Sequence, residues 1–346
     1  MSPRRDDGRK PWTRRRVVLP ALVLAALAAA LLLAAGCGVP GQPDIWQPRG
    51  SAGVEIRTLA YWMFGILAGV AVTVWAILTY VIIKGRRRKE QDASQTRGNL
   101  TIEIVWTLIP AVIVAVLFSL TWLATSRIIG PDPPASFTSV GHRWWWEFDF
   151  KQLGFKTANE VYVPVDSPVA IDVESVDVIH SFWVPQMGGK VDMIPGRVNH
   201  IYFTPLEEGQ YLGECSEYCG QQHGNMRFLF VVVSPQEYSA WAHHQAEPAD
   251  EPTGAEAIAG KKLMETISCA GCHTVRGTSM KGTFGPDLTH FGSRSGIAAY
   301  TVPNTPENLY EWLKDPQAVK QYVTMPQVPL PDQQIRELVA YLEELK

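Results

Sequence analysis

The chain has 346 residues, 46% of them hydrophobic and 19% charged, with 12 Trp, 5 Cys and a formal net charge of −3. That length holds two or three domains, and the composition excludes both a chain disordered throughout and a collagen-like repeat. An odd number of cysteines excludes a fully self-paired disulfide framework, so the thiols need other assignments.

The basic residues are concentrated in two places. Residues 1–16 carry +5 and residues 84–97 carry +4, which leaves −12 on everything else. Both segments border apolar runs instead of lying on a folded surface, so they read as topology signals and argue against a nucleic-acid partner. Residues 17–35 are apolar and end in Gly36-Cys37. A basic start, an apolar stretch and small residues form a secretion signal over 1–36. Its end resembles a bacterial lipobox, with Cys37 as a lipidated N-terminus, although Leu33 lies one position earlier than that motif usually has it. A retained membrane helix is the alternative. Residues 37–58 follow as an exported segment.

Residues 59–83 and 104–125 are uncharged apolar runs, each long enough to cross a bilayer as a helix. Together, over 59–125, they predict a transmembrane hairpin whose basic loop, 84–97, faces the cytoplasm by the positive-inside rule. The chain after residue 126 then lies outside. Glu103 sits at the cytoplasmic mouth of the second span, where an acid can stay hydrated.

Residues 136–242 form the next domain. Its segments TSVGHRWWWEFDF, NEVYVPV, VAIDVES, RVNHIYFTP and RFLFVVV are short apolar or alternating runs bounded by Gly, Pro and Asp, which predicts a β-sandwich. Residues 243–256 are polar, acidic and Pro-containing, the composition of a linker. Three runs with helical periodicity follow, IAGKKLMETIS, TPENLYEWLKD and PDQQIRELVAYLEELK, so residues 257–346 predict a small all-α domain.

Two constellations carry the chemistry. The first is the run Cys215-Ser-Glu217-Tyr-Cys219-Gly-Gln-Gln-His223-Gly-Asn-Met226, with His180 as a distant partner. Two sulfurs, imidazole and thioether suit copper, and two thiolates where a mononuclear blue-copper site has one suggest that they bridge two ions. A Cys215–Cys219 disulfide, a structural zinc site and an ordinary core histidine are the alternatives; zinc has little use for Met226, and a disulfide leaves the His and Met pattern without a reason. The second constellation is Cys269-Ala-Gly-Cys272-His273, a C-x-x-C-H motif whose thiols attach haem c and whose His binds its iron. Met264, Met280 and Met325 are the candidates for the opposite axial position. Met264 precedes the motif on the same helix.

The stretch from the hairpin through residue 242 resembles the binuclear copper (CuA) subunit, subunit II, of cytochrome c oxidase. The resemblance rests on Gly-His-Arg-Trp144-Trp-Trp, His180-Ser-Phe-Trp, Lys190-Val-Asp-Met-Ile-Pro-Gly-Arg197 and the Cys-to-Met loop. It implies a cupredoxin-like Greek-key sandwich and copper ligation by His180, Cys215, Cys219, His223, Met226 and the carbonyl of Glu217. It also implies a magnesium site at the Glu217 side chain shared with subunit I, electron input at Trp144 and proton uptake at Glu103. Residues 257–346 resemble a class I cytochrome c, which places the axial ligand in the late loop at Thr324-Met325-Pro326 and gives Pro286 the task of orienting His273.

The expectation is a multi-domain membrane protein with an α-helical hairpin, an all-β sandwich and a small α-helical haem domain, fixed in a bacterial inner membrane with both centres on the periplasmic face. It would serve as the electron-input subunit of a proton-pumping haem-copper oxidase that reduces O2 to water. Its partners would be subunit I with further oxidase subunits, a cytochrome c donor and membrane lipid. A nitric oxide reductase subunit with the same two centres is the alternative enzyme, and a stand-alone anchored carrier the alternative of another class.

Overall fold

The computed structural model describes residues 44–86, 98–129 and 134–346. The expected signal over 1–36, Cys37 and most of the basic loop lie outside the described residues.

Helices α1 (Ser51–Arg86) and α2 (Leu100–Ile129) are both long and apolar enough to cross a membrane, and none of their most apolar stretch is buried within the chain. Asn99 starts α2 by accepting the backbone N–H groups of Thr101 and Ile102 on its side chain. Helix α1 begins eight residues before the expected span, so the stretch expected to be an exported segment is helical from Ser51 onward. At about 54 Å for 36 residues, α1 is longer than a bilayer core is thick, and the excess packs on the sandwich. Gly53 N–H donates to Met187 O, Ser51 Oγ accepts Thr204 N–H, and Ala52 is buried.

The sandwich has two five-stranded sheets, in the orders β3-β2-β1-β5-β8 and β4-β10-β9-β6-β7. Its strands are β1 (Phe137–His142), β2 (Trp145–Phe150), β3 (Phe155–Ala158), β4 (Glu160–Pro164), β5 (Val169–Ser175), β6 (His180–Trp183), β7 (Val191–Met193), β8 (Asn199–Phe203), β9 (Gly209–Cys215) and β10 (Arg227–Val233). Alternation explains the two faces: in β2, residues 146, 148 and 150 are buried while 145, 147 and 149 are partly exposed. Trp146, Phe182 and Phe228 meet at the centre with ring centroids 4.8–5.8 Å apart. Aromatic pairs at such spacing add about 0.5–1.5 kcal/mol each beyond their buried area.

Helix α3 (Pro235–Ala246) closes the sandwich, with Trp241 stacked on Tyr162 at 4.9 Å. Ser234 and Glu237 form a reciprocal capping box at its start. This helix runs four residues into the expected linker, because its cap and the Trp241 face stabilise it more than the polar composition weakens it. The rest of that stretch is tied to the helical domain: Ala249 N–H donates to Arg276 O and Thr253 N–H to Glu344 Oε2.

The last domain contains α4 (Ala255–Thr266), a short hairpin β11 (Gly296–Ile297) and β12 (Val302–Pro303), α5 (Pro306–Lys314), α6 (Pro316–Val319) and α7 (Asp332–Glu344). Ile335, Leu338, Val339 and Leu342 make one buried stripe of α7. Helices α4 and α7 cross at Gly260, where a Cβ would lie 2.0 Å from Glu337 O. Only glycine permits that approach.

Candidate functional site

The Cys-to-Met loop is pinned at both ends by a hairpin. Strand β9 ends on Cys215 and β10 opens at Arg227, paired with Glu214, and Cys215 N–H donates to Met226 O at 3.0 Å. Strand β6 pairs with β9 so that Phe182 faces Cys215, which sets fully buried His180 beside the loop from 35 residues upstream. Cys215 Sγ lies 3.8 Å from His180 Nδ1, 3.7 Å from Cys219 Sγ and 3.2 Å from Glu217 O. Cys219 Sγ lies 3.7 Å from His223 Nδ1 and 3.8 Å from Met226 Sδ. The four other expected ligand groups therefore surround the two adjacent sulfurs.

The sulfur separation is well beyond the ~2.05 Å of a disulfide, so both thiols are free. Their mutual hydrogen bond is the largest influence on each, pushing Cys215 down to about 3 and Cys219 strongly upward. One thiolate forms easily and the second is opposed by the first. A cation between the sulfurs removes that opposition, and soft sulfur with imidazole and thioether donors suits copper. The donor set fits the metal.

Asp177 supplies a partner that sequence reasoning passed over. His180 Nε2 stands 2.8 Å from Asp177 Oδ1, leaving Nδ1 as the nitrogen facing the sulfurs. Burial opposes the charge on Asp177, but hydrogen bonds from His180, Val178 N and Arg143 N hold its carboxyl down at about 2. A carboxylate behind a metal-facing histidine fixes its tautomer and orientation. The only sequence signal was an acid three positions before a histidine, a spacing too common to single out.

Trp144 lies in the turn between β1 and β2, and its Nε1 donates to Cys219 O at 3.1 Å. Its ring covers Gly220, which has a φ of +118° and where a Cβ would come within 3.0 Å of the indole. Glu217 turns its side chain to its neighbour's backbone, accepting Tyr218 N–H at 3.2 Å. Glu103 is remote from this cluster, exposed in the first turn of α2.

The second constellation lies around a cavity. Cys269 lies within the 3-10 turn Ser268–Gly271 that follows α4 and Cys272 directly after it, and His273 Nδ1 donates to Pro286 O at 2.9 Å, leaving Nε2 available. Burial pushes the His273 pKa down, favouring the neutral ring that binds iron. Cys269, Cys272, His273, Met264 and Met325 line the cavity with mostly apolar neighbours such as Leu309 and Trp312. Met280 is fully buried in the domain core and does not line it. The attachment motif, an apolar cavity and a methionine in its wall fit a covalently held haem. Trp144 lines the same cavity from the sandwich.

An apolar helix pair, a sandwich with a two-sulfur loop and a helical domain with a C-x-x-C-H cavity define a membrane-anchored electron-transfer protein. Family profiles agree in three places. Residues 47–121 match the transmembrane domain of cytochrome c oxidase subunit II, residues 151–233 its periplasmic domain, and residues 257–346 cytochrome c. Cytochrome c oxidase subunit 2 of Alkalihalophilus pseudofirmus is 38% identical over 81% of this chain and 84% of the relative. The protein of that name from Bacillus subtilis is 29% identical over 92% of this chain and 96% of the relative. Among solved structures, the periplasmic domain of subunit II of cytochrome oxidase from Bradyrhizobium japonicum is 30% identical, covering 33% of this chain and 95% of that chain, with a TM-score of 0.32. The chain belongs to the cytochrome c oxidase subunit II family.

Proposed function

We propose that this chain is the electron-input subunit of a haem-copper cytochrome c oxidase, drawing electrons from a cytochrome donor and delivering them to a catalytic subunit I that reduces O2 to water. Haem c and a binuclear copper centre would supply two successive one-electron stations when bound. Cys269, Cys272, His273 and Met325 would hold the first, and His180, Cys215, Cys219, His223, Met226 and the Glu217 carbonyl the second. The observation that carries this reading is Trp144, which lines the haem-motif cavity while its indole N–H bonds to the Cys219 carbonyl. It joins both sites through one side chain.

On this reading α1 and α2 form a two-pass hairpin in a bacterial inner membrane, with both centres on the periplasmic side. The Glu217 side chain would serve a magnesium ion shared with subunit I, and Glu103 would take up protons at the cytoplasmic face. The test is turnover with a soluble cytochrome donor in the complete complex, comparing wild type with Met325→Ala and following O2 and NO consumption separately. Slower O2 consumption in the variant supports the route. Unchanged rates mean that electrons bypass the first station, and preferential NO consumption replaces the oxidase by a nitric oxide reductase.

A further inference from the structure

Lys320 follows α6 in the haem-motif domain and is 2% exposed, an unusual place for an ammonium. Its Nζ lies 2.9 Å from Trp144 O, 2.7 Å from Asn225 O and 2.8 Å from Ala298 O. Two of these carbonyls belong to the sandwich and one to the helical domain. Three acceptors match the three N–H groups of a charged lysine, whereas a neutral amine would turn its lone pair on an oxygen. Burial pushes the Lys320 pKa down to about 7.

The segment that meets Lys320 is itself costly to form. Ala298, Ala299 and Tyr300 have consecutive φ values of +54°, +58° and +59°, although none is glycine. L-residues resist this conformation, and a run of three persists only where surrounding contacts fix it. Ala298 O accepts Lys320 within the same domain, and two contacts reach the sandwich: Ala299 O accepts Arg227 N–H at 3.3 Å, and the Tyr300 hydroxyl bonds Glu160. Glu160, nearly buried on β4, also accepts Ser295 N–H at 3.1 Å and Ser295 Oγ at 2.9 Å.

We infer that Lys320 is a positioning residue that locks the haem-motif domain onto the copper loop, its ammonium fixing Trp144 and Asn225 of the sandwich against the left-handed turn at Ala298. The inference rests on the electron route proposed above and adds that the two domains work from one fixed docked geometry. A tethered domain sampling many orientations would gain only the effective concentration set by its linker. Lys320 lines the haem-motif cavity, but its three hydrogen bonds go to none of the proposed metal ligands, and it contributes by holding Trp144 in place.

The test uses the full chain in its complex, loaded with haem and copper, with Lys320→Met and Tyr300→Phe compared to wild type. Two quantities are read: backbone hydrogen exchange over residues 225–227 and 295–300, and the single-turnover rate of electron passage between the two centres. Removing the ammonium leaves Trp144 O and Asn225 O without their donor, while Ala298 O keeps only Thr301 Oγ1; this should release the docked state, so Lys320→Met is expected to slow electron passage by about tenfold or more. Exchange should rise in both segments while the haem and copper absorption spectra stay unchanged. Tyr300→Phe removes one hydroxyl from the same interface and should shift both readings in the same direction by less; it serves if Lys320→Met does not fold. Unchanged exchange with an unchanged rate overturns the inference, as does raised exchange with an unchanged rate. If wild type shows no passage between the centres, the proposed route fails, and the exchange measurement still decides whether Lys320 locks the domains.

Discussion

Trp144 Nε1 donates to Cys219 O across 75 residues of sequence, tying the turn between β1 and β2 to the loop that carries both sulfurs. Asn159 Oδ1 accepts Trp146 N–H at 2.9 Å nearby, so the strand that begins beside Trp144 is fixed as well. A buried carbonyl that loses its donor keeps its desolvation cost. Trp144→Phe should therefore lower stability by about 1–3 kcal/mol. It should also slow delivery of electrons to the copper loop while leaving the copper absorption intact. Denaturant unfolding and single-turnover reduction measure the two effects, and a variant with wild-type kinetics would remove Trp144 from the route.

Asp177 should matter to metal retention more than to folding. Asp177→Asn keeps the side-chain shape but removes the anion that orients His180. Losing a partner of this kind typically costs 10–100-fold in metal affinity. Competition with a copper chelator should show a loss in that range, with near-normal unfolding of the metal-free chain. Unaltered copper affinity would reduce Asp177 to a structural hydrogen-bond acceptor.

The three candidate methionines separate by placement. Met325→Ala should change the visible spectrum of the bound haem and admit an added ligand such as imidazole. Met280→Leu fills the same core volume and should cost under about 1.5 kcal/mol with an unchanged spectrum. Spectral titration with imidazole distinguishes the two. A Met280 variant that opened the haem while the Met325 variant did not would reverse the assignment.

His142 gives the sandwich an acid-sensitive contribution. Its ring stacks on Trp145 at 4.0 Å, its Nε2 has no hydrogen-bond partner among the described residues, and burial pushes its pKa down to about 4. Between that value and the ordinary 6.5, the unfolded chain holds a proton that the folded chain does not. Stability then rises with pH through this window and is lost as pH falls through it. In detergent, wild type should lose stability more steeply between pH 6.5 and 4 than His142→Gln does. Equal slopes would mean that His142 takes up its proton without resistance.

How far the sequence could be read depended on the range of each signal. The copper loop and the C-x-x-C-H motif were legible because their donors are close in sequence and chemically rare together. His180 was singled out through its Ser-Phe-Trp context, and Met325 through its place before the last helix. Asp177 was not, since its importance comes from where the β6–β9 pairing carries His180. The start of α1 and the end of α3 were missed by several residues. Each is extended by packing on the sandwich, at Ala52 and Trp241, which a local composition cannot reveal.

The sequence by itself determined the order of parts: two apolar helices, a sandwich of alternating strands, and a helical domain with its attachment motif. Those features follow from periodicity and donor spacing, which are local properties of the chain. Only the tertiary structure decided how the parts meet. Lys320, Glu160 and Trp144 gave no individual signal of a shared interface, because each acts on backbone or side chains more than 70 residues away. The cavity wall shared between domains, the three left-handed residues at 298–300 and the lysine beneath them exist only once both domains have folded against each other.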